Sequence, residues 1–148
     1  MWTTCRHGHA HWGQRGAAGL LLARDGRVLM QLRAGWAHRG GTWSIPGGAR
    51  ERGETPTEAA LREAAEEFGI DPDVVGVHGS RPWDCGGWNY ETILATARGA
   101  VVVELLSEST DHAWATPEEV DALHLHPGFA SAWDDPDGVL RGFVAATA

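Results

Sequence analysis

The segment Thr55–Gly69, TPTEAALREAAEEFG, constrains the fold more tightly than any other part of this chain. Thr55 offers an N-cap oxygen, Pro56 takes the first helical position and Glu58 completes a capping box. Gly69, followed by Pro72, marks the stop. At about 100° per residue, Leu61, Ala64, Ala65 and Phe68 share an arc of roughly 100°. Glu63, Glu66 and Glu67 share a similar arc on nearly the opposite side. The apolar stripe predicts a face packed on a sheet. The acid stripe costs about 0.2–0.5 kcal/mol for each like-charge pair three or four residues apart. Arg62 stands four residues from both Glu58 and Glu66 and can pair with either, but one arginine cannot neutralise three glutamates. Such a stripe is either a solvated charged face or a place for a cation, and the helix alone leaves both readings open.

Around this helix the chain reads mainly as strands. AAGLLLAR (Ala17–Arg24) ends at Asp25-Gly26, a hairpin-type turn, and RVLMQLR (Arg27–Arg33) returns. Ala34–Trp43 is a glycine-broken loop, and Ser44–Gly48 is a short extended piece closed by Pro46 and two glycines. DVVGVHG, YETILATA (Tyr90–Ala97), AVVVELL (Ala100–Leu106) and HAWA read as further strands. Thr116-Pro117 with Glu119 caps a second helix, and HPGFASAW starts a third. Strands interleaved with two or three helices predict an α/β or α+β sandwich.

Composition narrows the function. The 148 residues suit one domain, and a hydrophobic fraction of 43% fits a globular chain. We expect a polar, His-rich arm over residues 1–14 and a single domain over 15–148. The longest apolar run is far shorter than a membrane span, and no basic-then-apolar leader opens the sequence, so the expected compartment is the cytoplasm, with no membrane partner. The formal net charge of -8 argues against nonspecific nucleic-acid binding. All twelve basic residues are arginines. Without lysine there is no Schiff-base chemistry and no phosphate loop ending in Gly-Lys-Ser/Thr. An acidic, lysine-free chain that handles phosphate must use arginine, backbone N–H groups or metal.

The spacing upstream of the helix adds a specific resemblance. Gly48, five residues, Glu54, seven residues, then Arg62-Glu63-Ala64-Ala65-Glu66-Glu67-Phe68-Gly69-Ile70 resembles the signature of the Nudix hydrolases, G-x5-E-x7-R-E-U-x-E-E-x-G-U, where U is a bulky aliphatic residue. All seven fully specified residues are present, a chance match on the order of 10⁻⁸ per starting position. Ala64 departs from the pattern by being small. TWSIPGG and the hairpin before it also look like the family, so the resemblance covers about residues 15 to 133.

The resemblance implies an α/β/α sandwich with a mixed sheet. It also implies metal-dependent hydrolysis of a diphosphate in a small nucleotide-type substrate, by water attack on phosphorus. Mg²⁺ or Mn²⁺ between carboxylates and phosphate turns repulsion into binding, and hard oxygen ligands suit those ions. By the same resemblance Glu66 and Glu67 are metal ligands, and Glu63 is a ligand or water-orienting base. The carbonyl of Gly48, or of Gly47, completes the coordination. Arg62 and Glu54 brace the site, Arg33 is a phosphate-binding candidate, and Glu108 is the candidate general base in ELLSESTDHAW, ahead of Asp111. Trp43 is a candidate to stack on a base. A homodimer is compatible with the family. A nucleotide-sensing domain that binds without turnover is the alternative reading of the same signature.

CRHGHAHWG raises a separate possibility. Cys5, His7, His9 and His11 alternate, and in a strand all four would share one face, a pattern open to zinc or to an ordinary surface segment. A zinc-binding interaction module built on them is a third functional reading. Cys5 and Cys85 lie too far apart in sequence to suggest a disulfide framework. Trp83, Trp88 and Tyr90 surround a glycine pair and add further candidates for stacking.

Overall fold

A computed structural model describes residues 2–35 and 40–148; residues 36–39, in the predicted loop after Arg33, lie outside them. Among the described residues nine strands form in chain order: β1 (Trp2–Thr4), β2 (Ala10–Trp12), β3 (Ala17–Arg24), β4 (Arg27–Arg33), β5 (Trp43–Ser44), β6 (Gly47–Ala49), β7 (Val75–Cys85), β8 (Trp88–Ala97) and β9 (Ser109–Ala115). The helices are α1 (Pro56–Phe68), α2 (Pro117–Asp121), α3 (Pro127–Trp133) and α4 (Val139–Ala145), with a 3₁₀ turn at Pro72–Val74. This is the mixed-sheet α/β/α sandwich that the sequence predicts.

The sheet is organised by a splayed hairpin. Asp25 and Gly26, both at positive φ, make the tight turn, yet β3 and β4 pair only through Ala23–Val28 and Arg24–Arg27. Beyond that they diverge, and the segment 43–49 fills the gap. Trp43–Ser44 pairs with β4, and Gly47–Ala49 pairs with β3. On its other edge β3 runs parallel to β8, which pairs antiparallel with β7; β4's other edge takes β9.

Because side chains alternate along a strand, β3 feeds two cores. Leu20 and Leu22 face Ala59, Ala60, Ala64 and Phe68 of α1, whereas Leu21 and Ala23 face Val120, Phe129, Trp133, Leu140 and Val144 of α2–α4. A strand buried on both faces reads as a continuous apolar run.

Helix α1 has the predicted cap. The Thr55 hydroxyl accepts from the Glu58 N–H, the Glu58 carboxylate accepts from the Thr55 N–H, and Gly69 closes the helix at φ 67°. Its orientation differs from the helical-wheel expectation. The buried residues are Ala59, Ala60, Ala64, Glu67 and Phe68, while Leu61 and Ala65 are only half-buried. The helix is turned toward its acidic edge, so that Glu67 lies inward. Three alanines under it let the backbone sit close to the sheet.

Two other expectations are corrected. Ala100–Leu106 is not a strand. The Glu104 and Leu106 N–H groups bond the Phe68 and Glu67 carbonyls, so this segment caps the C-terminal end of α1 instead of joining a ladder. Cys5–His11 is not one strand either, because Cys5–His9 forms the turn between β1 and β2. The tail after Asp134, unassigned from sequence, supplies α4.

Phe68 is fully buried between α1 and the sheet. Phe68→Ala should cost about 3–5 kcal/mol in denaturant unfolding, as a large aromatic leaving a cavity does. A loss below about 1 kcal/mol would contradict this packing.

Candidate active site

β4 leads from the core into the site. Leu29, Gln31 and Arg33 alternate onto the face covered by α1: Leu29 joins the core, Gln31 is fully buried and Arg33 reaches the rim. The Gln31 amide donates to the Glu67 carboxylate and, at 2.7 Å, to the Ser109 hydroxyl. Ser109 in turn donates to the Glu67 carbonyl at 3.1 Å. Glu67 is thus held underneath the helix, with its side chain almost out of contact with bulk water.

Glu63 stands beside it. Burial raises the Glu67 pKa above the ordinary carboxylate range, the neighbouring Glu63 carboxyl raises it further, and the Gln31 bond and the Arg33 charge oppose the shift. The Glu63 carboxyl also abuts Gly48: a Cβ built on Gly48 would fall 2.6 Å from it. Only glycine lets the backbone of β6 approach that acid so closely.

Arg62 ties this arrangement together. Its Nε and Nη2 donate to the two Glu54 oxygens at 2.7 and 2.9 Å, and Nη2 also donates to the Ala49 carbonyl at 3.0 Å. Nη1 reaches Glu63 at 2.9 Å and exposed Glu66 at 3.3 Å. Of the two partners its spacing allowed, Arg62 takes Glu66; Glu58 is occupied by the cap. Glu54 further accepts from the Glu51 N–H, closing the loop that precedes α1. The arginine's pKa rises, chiefly through Glu54.

At the rim Arg33 pairs with Glu108 at 2.9 Å, and the Ala34 N–H donates to the Glu108 carbonyl. Asp111 is on β9 opposite Leu32. Tyr90 points inward. Its hydroxyl lies where a Cβ on Gly19 would come within 2.1 Å, and burial followed by the Glu67 charge raises its pKa. Trp88 stacks on His11, and Trp43 packs against the core on the opposite face of the sheet from α1.

The fold therefore gathers Glu63, Glu66, Glu67, Gly48, Arg33 and Glu108 around one end of α1. Gln31 and Ser109 belong to the same surroundings and are absent from the sequence-based candidates, whereas Tyr90, a stacking candidate from the sequence, turns its hydroxyl inward against Gly19. The one polar residue in the buried run Val28–Met30–Gln31 was the available signal for Gln31. The donor set fits a hard divalent cation: oxygen ligands, including a buried carboxyl crowded by a second acid that pairs with Arg62.

A NUDIX domain model matches residues 13–134. This chain belongs to the Nudix family. The Nudix chain is 42% identical over 143 residues to the putative 8-oxo-dGTP diphosphatase 3 of Mycobacterium tuberculosis, covering 89% of this chain and 66% of that protein. It is 41% identical to a nucleoside triphosphate pyrophosphatase/Nudix hydrolase fusion protein of Bifidobacterium longum, covering 89% of this chain and 30% of that one. The match thus spans less than two thirds of either relative. Among solved structures, a Nudix hydrolase from M. smegmatis, RenU, superposes with a TM-score of 0.82 at 38% identity, over 94% of this chain and 93% of that one. A C. elegans Ap4A hydrolase shares the fold at a TM-score of 0.69 and 22% identity, over 88% and 96% of the two chains. Among the described residues, no helix is long and apolar enough to cross a membrane.

The raised Glu67 pKa has a signed consequence. Between the ordinary carboxylate pKa and the raised one, the folded chain holds a proton that the unfolded chain releases, so metal-free stability falls as pH rises through that window. Melting curves from pH 5 to 8 without metal should show this decline. In Glu67→Gln the decline should be shallower, and a slope equal to the wild type's would refute the assignment.

Proposed function

We propose that this Nudix domain is a divalent-metal-dependent pyrophosphohydrolase acting on nucleoside triphosphates, oxidised purine nucleotides such as 8-oxo-dGTP among them. The observation that carries the reading is the buried Glu67 carboxyl beside Glu63, whose own carboxyl abuts Gly48. A solvated charged face has no reason to bury one of its acids against another, since desolvation and repulsion both oppose it. The substrate class rests on the relatives named 8-oxo-dGTP diphosphatase and nucleoside triphosphate pyrophosphatase.

In this reading Glu63, Glu66, Glu67 and the Gly48 carbonyl hold Mg²⁺ or Mn²⁺, which supplies charge stabilisation of the polyphosphate and acidifies bound water. Gln31 and Ser109 hold the Glu67 side chain and the helix backbone at one position, so the carboxylate is pre-oriented. Arg62 keeps Glu63 aimed into the site while Glu54 balances its charge. Glu108 takes the proton of the attacking water. Arg33, its ion-pair partner, meets the phosphate oxygens and replaces the lysine that this chain lacks. Water adds to the α- or β-phosphorus as the P–O bond bridging the two breaks, giving a nucleoside monophosphate and pyrophosphate.

Pyrophosphate release from a panel of nucleoside triphosphates, with and without Mg²⁺ or Mn²⁺, tests this. Turnover should require the ion, and Glu67→Gln should lower kcat by at least about 10²-fold. Near-normal turnover of that variant, or equal rates in chelator, would refute the proposal; binding without turnover would favour a sensing domain.

Arg33→Ala should raise KM at least about tenfold with kcat changed much less, as expected for a charge-assisted contact worth roughly 1.5–3 kcal/mol. Unchanged KM would return Arg33 to a purely structural pairing with Glu108.

A further inference from the structure

Two turns far apart in sequence meet at the end of the molecule formed by β1, β2 and the β7–β8 hairpin. Cys5 and His9 flank the β1–β2 turn, His11 is on β2, and Cys85 ends β7. One ligand-capable atom from each of these four residues lies within 4.8 Å of the corresponding atoms of the other three. The two sulfurs are 3.4 Å apart, and His9 Nδ1 is 3.1 Å from the Cys85 sulfur. Both cysteines are free thiols. A tetrahedral zinc site with Zn–S near 2.3 Å and Zn–N near 2.0–2.1 Å sets its ligand atoms roughly 3.3–3.8 Å apart. The cluster is gathered to about that scale.

The surroundings favour metal over a chance meeting of side chains. His11 carries a buried Nε2 with no hydrogen-bond partner among the described residues, an orphaned group that otherwise carries a desolvation cost. Its ring is held flat against Trp88, at 4.1 Å between centroids and 4° between planes, and Trp88 is anchored through Nε1 to the Gly13 carbonyl. The two turns are also fitted backbone to backbone. The Arg6 N–H donates to the Gly86 carbonyl at 2.8 Å, and a Cβ on Gly86 would come 2.7 Å from the Arg6 nitrogen. Gly86 has φ 53°, so this position needs glycine both for its turn and for the close approach.

We propose that Cys5, His9, His11 and Cys85 bind one structural zinc ion that pins the N-terminal hairpin to the β7–β8 turn. Two thiolates and two neutral imidazoles balance Zn²⁺ and fill four positions, leaving none open for catalysis. His7, the fourth member of the alternating pattern in the sequence, is not in the set; Cys85 takes its place. The site lies apart from the Nudix carboxylates and depends on none of them.

The test is metal analysis of the intact chain, purified under reducing conditions and dialysed after addition of zinc. About one zinc per chain should be retained, and Cys85→Ser should lower it to below about 0.2 while His7→Ala retains it. Replacing zinc with Co²⁺ should give the near-ultraviolet thiolate-to-metal band and intense visible bands of a tetrahedral thiolate site. Carboxylate ligands cannot produce that charge-transfer band, so an inactive chain with an intact zinc site, or the reverse, separates this proposal from the hydrolase reading. The metal-loaded chain should also melt several degrees higher than the chelated one, an effect absent in Cys85→Ser. If Cys85→Ser does not fold, the wild-type stoichiometry and cobalt spectrum decide alone. Zinc below about 0.2 per chain in the reduced wild type, or a cobalt form without the thiolate band, overturns the proposal.

Discussion

The buried carboxyl of Glu67 governs the architecture around it. A carboxyl at the sheet–helix interface is tolerated only if the fold provides a partner; the Gln31 amide is that partner, and Ser109 accepts from the same amide while donating to the Glu67 backbone carbonyl. Gln31 can reach the carboxyl because β4 has left β3 after two residue pairs, and Ser109 can reach Gln31 because β9 pairs along β4. Helix α1 must then turn its acidic edge inward, and only small residues beneath it allow that. Ala64, the departure from the usual motif, lies in that tight contact and is 1% exposed.

Arg62 does for the loop what Gln31 does for the helix. By bonding Glu54, Ala49 and Glu63 together, it joins the segment before α1, strand β6 and the acid stripe into one unit. Its pairing is multivalent and partly buried, so its geometry is constrained in a way that an exposed ion pair is not. The side chain neutralises part of the stripe yet leaves Glu67 to the neighbouring Glu63. Stability and acid crowding therefore coexist on one helix, with the unbalanced part concentrated where the backbone of Gly48 comes nearest.

Local signals in the sequence carried the elements that depend on local chemistry. The Thr55 and Thr116 capping boxes, the Asp25-Gly26 turn and the Gly69 stop form as their residue types require. The spacing of Gly48, Glu54 and Arg62–Gly69 carried the family. What the sequence did not show depends on contacts between distant segments. The face that α1 buries is set by Gln31, 36 residues before Glu67, and periodicity within the helix contains no trace of it. Ala100–Leu106 has strand-like composition, but its N–H groups are taken by the end of α1. Cys85 joins Cys5 across 80 positions, a meeting made only by the packing of two hairpins.

The N-terminal hairpin and the carboxylate site are mechanically connected. From His11 the chain passes to Gly13, where a Cβ would fall 2.6 Å from that of Ala49, and to Gly16, whose carbonyl accepts from the Arg50 N–H. Arg50 also donates to the Arg15 and Glu54 carbonyls. Ala49 and Glu54 are both partners of Arg62, which in turn holds Glu63. A device that fixes β2 thus bears, through Gly13–Gly16, on the loop whose shape aims the acids. Loops between secondary elements are ordinarily the most mobile parts of a fold, and this one is bounded on one side by α1 and on the other by the hairpin. The hairpin matters to the site as the outer wall that keeps Ala49–Glu54 from moving away from Arg62.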